Sequence, residues 1–291
     1  EGRVYAGKIP YTKKEYDLGT IPELPTKIML NVGTPEGAFK ASFLRNDGVG
    51  LARVEFIFAD KVKVHPLALY NYGKLKDKKL KAQIDQITAG YKDKKEFFVE
   101  KLAEGVAQIA AAFHPKHVIV RFSDFKTNEY RELIGGKDYE PLESNPMIGW
   151  RGASRYYDPR FAPAFAMECA AIKKVRETMG LDNVWVMVPF CRTVEEGKKV
   201  IEAMKNNGLQ SGVNGLKIMM MCEIPSNVVL ADRFLEIFDG MSIGSNDLTQ
   251  LALGLDRDAG QLSYIGNENN EAVKVLVAQA IKACKARGKY I

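Results

Sequence analysis

Acidic residues follow several short apolar runs in this 291-residue chain. Asp124, Glu223 and Asp247 each come within a few residues of such a run, and Asn246 stands beside Asp247. Carboxylate oxygens are hard ligands, and two of them at one site favour Mg2+ or Mn2+. We therefore predict that Glu223 and Asp247 are metal ligands and that Asp124 and Asn246 contribute to the same site.

Three arginines also lie at or near the ends of such apolar runs. They are Arg53, Arg121 and Arg151. A guanidinium group matches a carboxylate or a phosphate with two parallel hydrogen bonds. These arginines predict a site for an anionic, planar substrate, at which a metal ion would stabilise a developing enolate. The turn at Gly244 and Ser245 would present backbone N–H groups to an anion beside them.

Each of these residues taken alone has a simpler explanation. An arginine near a carboxylate is usually half of a surface ion pair, Glu223 could be a buried and paired acid, and Asn246–Asp247 could cap a helix. Their recurrence at successive strand ends is what favours a functional site over these alternatives.

The elements that must position these residues alternate between strands and helices. Uninterrupted apolar runs predict parallel strands at 27–32, 49–56, 116–122, 148–154, 184–189, 217–223 and 241–243, and 289–291 begins another. Helices are predicted at 35–45, 66–114 with a break at Gly90, 163–180, 193–206, 226–238 and 271–287.

Seven predicted strands and the start of an eighth indicate an α/β fold, a (β/α)8 TIM-type barrel truncated at the start of the eighth strand. A doubly wound open sheet is the alternative. In a barrel, the carboxyl ends of all strands face one pocket, which would gather the acids and arginines. Residues 1–20 are turn-rich, and the Pro-containing stretch that follows reads as a linker, so we predict a domain boundary near residue 20 and a barrel over 21–291.

Composition narrows the class of protein. The net charge of +6 arises from 42 basic and 36 acidic residues that are spread along the chain. No nucleic-acid motif accompanies them and no apolar run approaches the roughly 20 residues that span a bilayer, so we expect neither a nucleic acid nor a membrane as partner.

The cysteines form no C-x-x-C pair, which indicates a reduced, cytoplasmic protein. They are Cys169, Cys191, Cys222 and Cys284.

The segments that carry these residues resemble those of the PEP-utilising enzymes, a family that includes phosphoenolpyruvate synthase and pyruvate phosphate dikinase. The matching segments are GVGLARVEF (48–56), VRFSD (120–124), NPMIGWRG (145–152), MVPF (187–190), EIP (223–225) and SIGSNDLTQ (242–250). Any one of them is weak, but the ordered set is specific. The resemblance extends from about residue 27 to the end of the chain.

Within the family, residues 126–141 and the Tyr156–Tyr157 pair are most similar to the synthase branch. Two alternatives remain open. The chain could be the barrel of a pyruvate phosphate dikinase or another relative, or it could be a non-catalytic dimerisation or scaffold barrel.

The resemblance implies the roles of individual residues and the reaction. It places the Mg2+ ligands at Glu223 and Asp247. It implies catalytic or substrate contacts by Arg53, Arg121, Asp124, Arg151, Asn246 and Arg257. In such a synthase, ATP yields a pyrophosphohistidine and AMP, water releases phosphate, and the phosphohistidine passes its phosphoryl group to pyruvate. The implied partners are pyruvate or PEP, the phosphohistidine domain of the same polypeptide, and a second copy bound through the barrel.

The chain also departs from the family's pattern. The family's acid cysteine lies in a Gly-x-Cys-Gly motif on the eighth strand, and none of the four cysteines here has that context. The histidine motif Gly-Gly-x-Thr-Ser-His would precede residue 1, and residues 1–7 resemble only the trailing edge of that domain. We therefore expect the chain to be one part of a longer polypeptide and to be inactive alone.

Overall fold

The fold is an α/β barrel-type fold, as predicted. The computed structural model describes residues 6–12, 22, 24–256, 259–262 and 264–291. Within them, six strands form one sheet in sequence order, and each strand pairs in parallel with the next. The strands are β1 (Leu30–Val32), β2 (Val49–Arg53), β3 (Val118–Arg121), β4 (Val184–Val188), β5 (Ile218–Cys222) and β6 (Gly240–Ile243).

Helices connect these strands and cover the outer face of the sheet. They are α1 (Pro35–Ser42), α2 (Val54–Ile57), α3 (Pro66–Tyr70), α4 (Lys78–Ile87), α5 (Lys94–Phe113), α6 (Thr127–Glu132), α7 (Ala153–Tyr156), α8 (Ala162–Lys173), α9 (Val194–Asn206), α10 (Pro225–Val229), α11 (Ala231–Phe234), α12 (Ser245–Leu253) and α13 (Glu271–Ala286). Short π-helical segments follow α2 and α8, at Phe58–Val62 and Lys174–Thr178.

Several helices begin where a side chain caps the first turn. Thr34, Asp77, Asp93, Thr193 and Asn270 each accept a hydrogen bond from a backbone N–H of the helix that follows. Such caps satisfy N–H groups that have no partner inside the helix, and they fix where each helix starts. The first residue of each of these helices is therefore fixed by local sequence as well as by packing.

Successive side chains of each strand point alternately into the barrel and out toward the helices. This alternation places the charged residues in the mouth of the barrel, where the strands end. The inward-facing cluster consists of Leu51, Ile119, Met187, Met219 and Met221. Arg53, Arg121 and Glu223 each come two residues after a member of that cluster, so the period of two turns them inward as well. Valines of the opposite parity, such as Val120 and Val186, pack outward against the helices.

The sheet curls, and its two edges approach each other at the end where the strands begin. Tyr290 forms a parallel bridge with Gly240, and its carbonyl accepts the Met241 N–H at 2.9 Å. Its hydroxyl reaches the Met29 sulfur, just before β1, at 2.9 Å. A Cβ on Gly240 would lie 2.6 Å from the Tyr290 carbonyl oxygen, so this approach requires glycine. The predicted strand at 289–291 is thus present as a single bridge beside β6.

The predicted strand at 148–154 is wrong. A 3-10 turn at Pro146–Ile148 and helix α7 occupy this segment instead, and β3 pairs directly with β4. Gly152 has φ +58°, which breaks an extended run. The Trp150 N–H donates to the Glu143 carboxylate and the Ala153 N–H to the Pro189 carbonyl. These bonds replace those that a neighbouring strand would have supplied.

Other boundaries differ by less. Residues 54–56 belong to α2 rather than to the second strand, so Glu55 lies beyond the strand end. The predicted helix at 226–238 is divided into α10 and α11, because Leu230 adopts φ −109° and ψ 27°. The predicted break at Gly90 is confirmed between α4 and α5, with φ +89°.

The proposed domain boundary near residue 20 falls on residues 13–21, outside the described part of the chain. The four cysteines are buried and free of disulfides. No helix among the described residues has both the length and the apolar character needed to cross a bilayer.

A buried polar cluster supports the loop that follows β3. Glu168 of α8 accepts the Ser123 N–H at 3.0 Å and the Ser123 hydroxyl at 2.5 Å. The Tyr130 hydroxyl donates to Ser123 Oγ at 2.6 Å, and the Tyr156 hydroxyl donates to the Ser123 carbonyl at 2.8 Å. Ser123 lies between Arg121 and Asp124, so this cluster fixes the backbone from which both charged side chains project.

Glu168 should make stability depend on pH. Burial raises the pKa of its carboxyl from an ordinary value of 4.5 to about 7, so the folded state keeps a proton that the unfolded state releases above pH 4.5. Stability is therefore lost as pH rises from 4.5 to about 7. Because Glu168→Gln removes this titration, we expect its stability relative to wild type to increase by on the order of 3 kcal/mol between pH 5 and pH 8.

Urea unfolding of both proteins at the two pH values measures this difference. Glu177→Gln, on the exposed end of the same helical segment, serves as the control and should leave the pH dependence as in wild type. An equal pH dependence in Glu168→Gln and wild type would show that Glu168 is already ionised in the folded protein.

Candidate functional site

A cavity of about 880 Å³ opens at the carboxyl ends of the strands. All the site residues that the sequence predicts line it, except Arg257, which lies outside the described residues. They are Arg53, Arg121, Asp124, Arg151, Glu223, Gly244, Ser245, Asn246 and Asp247. Residues separated by almost two hundred positions are brought together because parallel strands end at one edge of the sheet.

Arg121 links two carboxylates at the end of β3. Its Nη2 donates to Glu55 Oε1 at 2.8 Å, and its Nη1 lies 3.2 Å from Asp124 Oδ2. Glu55 Oε1 also accepts the Asp124 N–H at 2.7 Å. Burial alone would lower the pKa of Arg121, but the carboxylates of Glu55, Asp124 and Glu223 raise it above its ordinary value. Arg121 is therefore a fixed positive charge in the mouth.

Arg151 joins two acids from opposite sides of the mouth. Its Nε and Nη2 donate to the two oxygens of Asp124 at 3.0 and 2.7 Å, and its Nη1 donates to Asp247 Oδ1 at 3.1 Å and to the Met147 carbonyl at 3.0 Å. Only 4% of Arg151 is exposed. The sequence predicts that Arg151 binds substrate, but most of the hydrogen bonds of its guanidinium are to protein groups.

Asp124 is held as an anion between two arginines. Burial would raise the pKa of its carboxyl, but Arg151 and Arg121 together lower it below its ordinary value. At neutral pH this carboxylate is charged, and it orients both guanidinium groups.

Glu223, at the end of β5, is fully buried and only half satisfied. Its Oε1 accepts the Phe190 N–H at 2.7 Å, whereas its Oε2 has no hydrogen-bond partner within the described residues. A Cβ at Gly244 would lie 2.6 Å from Oε2, so glycine there leaves room for the carboxylate. Burial, and then the charges of Asp124 and Asp247, raise the pKa of Glu223 to about 8. Arg121 and Arg151 act in the opposite direction and lower the pKa of Glu223, but they do not cancel this shift.

Positive groups available to an anion lie across the mouth. Arg53, at the end of β2, is exposed, and no carboxylate of the described residues lies within 4.0 Å of its guanidinium. Helix α12 begins at Ser245 directly after Gly244, with Asn246 exposed in its first turn. The first N–H groups of a helix carry partial positive charge and bind anions readily.

Three buried side-chain atoms around this cavity lack a hydrogen-bond partner among the residues described. They are Arg121 Nε, Glu55 Oε2 and Glu223 Oε2. Buried polar groups are nearly always paired, so unpaired ones in a cavity indicate where a ligand binds. One donor and two acceptors suit a ligand that combines an anion with a cation.

Glu223 and Asp247 have the donor chemistry that Mg2+ or Mn2+ prefers. Both carboxylates line the cavity, and the charge of Asp247 contributes to the raised pKa of Glu223. No group of three or more His, Cys, Asp or Glu side chains in the described residues is arranged to hold a metal ion. Mg2+ is commonly held by one or two carboxylates, with water and substrate oxygens completing its coordination. The pair therefore fits such a cation.

The sequence did not predict a role for Met221, which lines the cavity, or for Phe190, which contacts Glu223 and Arg151 from outside the lining. Met221 lies inward on β5, where its sulfur is 3.7 Å from Arg121 Nη1, and the alternation along the strand could have identified it. Phe190 comes two residues after the end of β4, and it carries no charge that would have indicated a role. Its contacts depend on a positive φ of 47°, which residue spacing does not reveal.

Comparisons with known proteins identify the family to which the chain belongs. A family model described as PEP-utilising enzyme, PEP-binding domain, matches residues 12–291. The chain is 57% identical over 290 residues to a phosphoenolpyruvate synthase of Deinococcus radiodurans, 56% over 292 residues to one of Synechocystis sp., and 53% over 290 residues to one of Escherichia coli (strain K12). All of this chain is covered in each case, but only 36–37% of the relative. The chain thus belongs to the PEP-utilising enzymes and matches the PEP-binding domain of that family.

Proposed function

We propose that the barrel mouth binds pyruvate or PEP together with Mg2+ or Mn2+, as one half-site of a phosphoenolpyruvate synthase. The observation that carries this proposal is the buried Glu223 Oε2, which has no hydrogen-bond partner among the described residues and lies in a cavity also lined by Asp247, Arg121 and Arg53. The relatives that carry the name phosphoenolpyruvate synthase support the synthase over the dikinase. A scaffold role would give no reason for unpaired polar atoms in a large cavity.

In the proposed reaction, ATP, pyruvate and water yield AMP, PEP and phosphate. The step at this barrel would break the P–N bond of a phosphohistidine and form a P–O bond to the 2-oxygen of pyruvate. C3 of pyruvate would lose a proton, and the freed histidine nitrogen would take one up. The phosphohistidine would belong to another domain of the same polypeptide, because the chain spans 36–37% of its relatives. We also propose a cytoplasmic enzyme that dimerises through the barrel.

The chain's own residues would bind and orient the substrate. Glu223 and Asp247 would hold the cation, which supplies Lewis-acid stabilisation of negative charge on the 2-oxygen. Arg53 would bind the carboxylate or the phosphoryl group, since its guanidinium has no acidic partner among the described residues. Arg121, fixed by Glu55 and Asp124, would stabilise charge that develops on the transferred group.

Oxalate provides a direct test, because its planar dianion has the shape and charge of the pyruvate enolate. We expect calorimetry to show oxalate binding at least about tenfold tighter with Mg2+ than without it. We also expect no ATP-dependent formation of PEP by this chain alone. Lack of oxalate binding by folded protein with Mg2+ would contradict the site, and ATP-dependent product would contradict its assignment as a half-site.

A further inference from the structure

Phe190 contacts two charged groups that reach the mouth from different parts of the chain. Its N–H donates to Glu223 Oε1 at 2.7 Å, and the Arg151 guanidinium lies 4.1 Å from the centroid of its ring. The residue is 1% exposed and comes two residues after the end of β4, which lies between β3 and β5 in the sheet. One residue therefore touches both the half-satisfied carboxylate and the arginine that joins Asp124 to Asp247.

The backbone of Phe190 adopts a conformation that its own side chain disfavours. Its φ of +47° lies in the left-handed region, which is costly for a bulky residue. Since φ sets the direction of the side chain relative to the residue's own N–H, this value allows the N–H to meet Glu223 while the ring meets Arg151. Strained backbone of this kind persists where the surroundings impose it, often at functional sites.

Neighbouring residues impose this conformation. A Cβ at Gly152 would lie 2.6 Å from the Pro189 carbonyl oxygen and 2.7 Å from Phe190 Cβ, so glycine permits the close approach. The Ala153 N–H donates to the same Pro189 carbonyl at 3.0 Å. A second guanidinium, that of Arg192, lies 4.7 Å from the centroid of the Phe190 ring. The strained position is thus held from both the backbone and the ring.

We propose that Phe190 is a positioning residue, which fixes the Glu223 carboxylate and the Arg151 guanidinium so that Glu223 Oε2 is presented to a divalent cation. This inference rests on the proposed metal site. By binding Oε1, the Phe190 N–H prevents the carboxylate from rotating and leaves Oε2 directed into the cavity. Through its ring, Phe190 keeps the Arg151 guanidinium at Asp124 and Asp247, with which it forms hydrogen bonds.

Mn2+ binding, measured from the electron paramagnetic resonance signal of the free ion, tests this role. Phe190→Leu keeps the N–H but removes the aromatic face. We expect it to weaken Mn2+ binding about three- to tenfold, the range expected for a lost cation–π contact. Phe190→Tyr restores the face and should bind within about twofold of wild type. The matched control is Phe234→Leu, a fully buried ring of α11 outside the cavity lining, which should lower the melting temperature and leave Mn2+ affinity unchanged.

Equal Mn2+ affinity in Phe190→Leu and wild type would overturn the inference. If Phe190→Leu does not fold, Phe190→Gly decides the matter, because glycine tolerates the left-handed conformation and keeps the N–H. Weaker binding by Phe190→Gly supports the positioning role, and wild-type binding overturns it. Failure of the wild-type protein itself to bind Mn2+ would instead refute the proposed metal site, and with it this inference.

Discussion

Replacing Glu223 with glutamine is expected to weaken Mn2+ binding by at least about 100-fold, because one of the two anionic ligands loses its charge. The amide oxygen of glutamine can still accept the Phe190 N–H, so the shape of the site should persist. A titration of Mn2+ monitored by paramagnetic resonance measures the affinity. Glu195→Gln, an exposed position on α9, is the matched control and should bind as wild type.

The same substitution should stabilise the metal-free protein at high pH. Burial and the neighbouring acids raise the pKa of Glu223 from 4.5 to about 8, so the folded state retains a proton that the unfolded state releases. Wild-type stability therefore falls as pH rises from 4.5 to about 8. Without this titration, Glu223→Gln should melt at a higher temperature than wild type at pH 9 with no metal added.

If Glu223→Gln binds Mn2+ more weakly and is also more stable than wild type, the lost affinity results from the missing ligand and not from misfolding. Wild-type Mn2+ affinity in Glu223→Gln would show that the cation binds elsewhere. A lower melting temperature at pH 9 would show that the carboxylate is stabilised in the folded protein by contacts other than those described.

Arg121→Lys should reduce kcat of the full-length polypeptide by about 10²- to 10³-fold, the cost of removing a preorganised donor from a site of charge development. Lysine keeps the positive charge but not the planar fork, so it cannot bind Glu55 and Asp124 in the same geometry. It also removes the buried Nε–H, which has no partner in the described residues and faces a cavity built for a ligand.

A coupled assay of PEP formation measures kcat, and thermal unfolding reports on the fold. Arg160→Lys is a suitable control, since that side chain is 67% exposed and pairs only with Asp158 among the described acids. We expect it to retain wild-type kcat. Full activity in Arg121→Lys would exclude a role for the fork and would leave Arg121 as an ion-pair partner of Glu55 and Asp124.

The amino-acid sequence by itself determined the class of fold and the residues that meet at the mouth. Uninterrupted apolar runs marked the six strands, because strands of a parallel sheet are buried on both faces. The common edge at which parallel strands end was sufficient to gather Arg53, Arg121, Glu223 and Asp247. These features are local or periodic, and a chain shows them without being folded.

Only the tertiary structure decided which of those residues pair with each other and which are left unpaired. The segment around Arg151 reads as a strand from its composition, but hydrogen bonds to Glu143 and Pro189 hold it as a turn and a short helix. The raised pKa of Glu223 and the left-handed backbone of Phe190 likewise arise from groups distant in sequence. Burial, pKa shifts and backbone strain depend on all the groups that surround a residue in space. The spacing of residues along the chain does not show which groups those are.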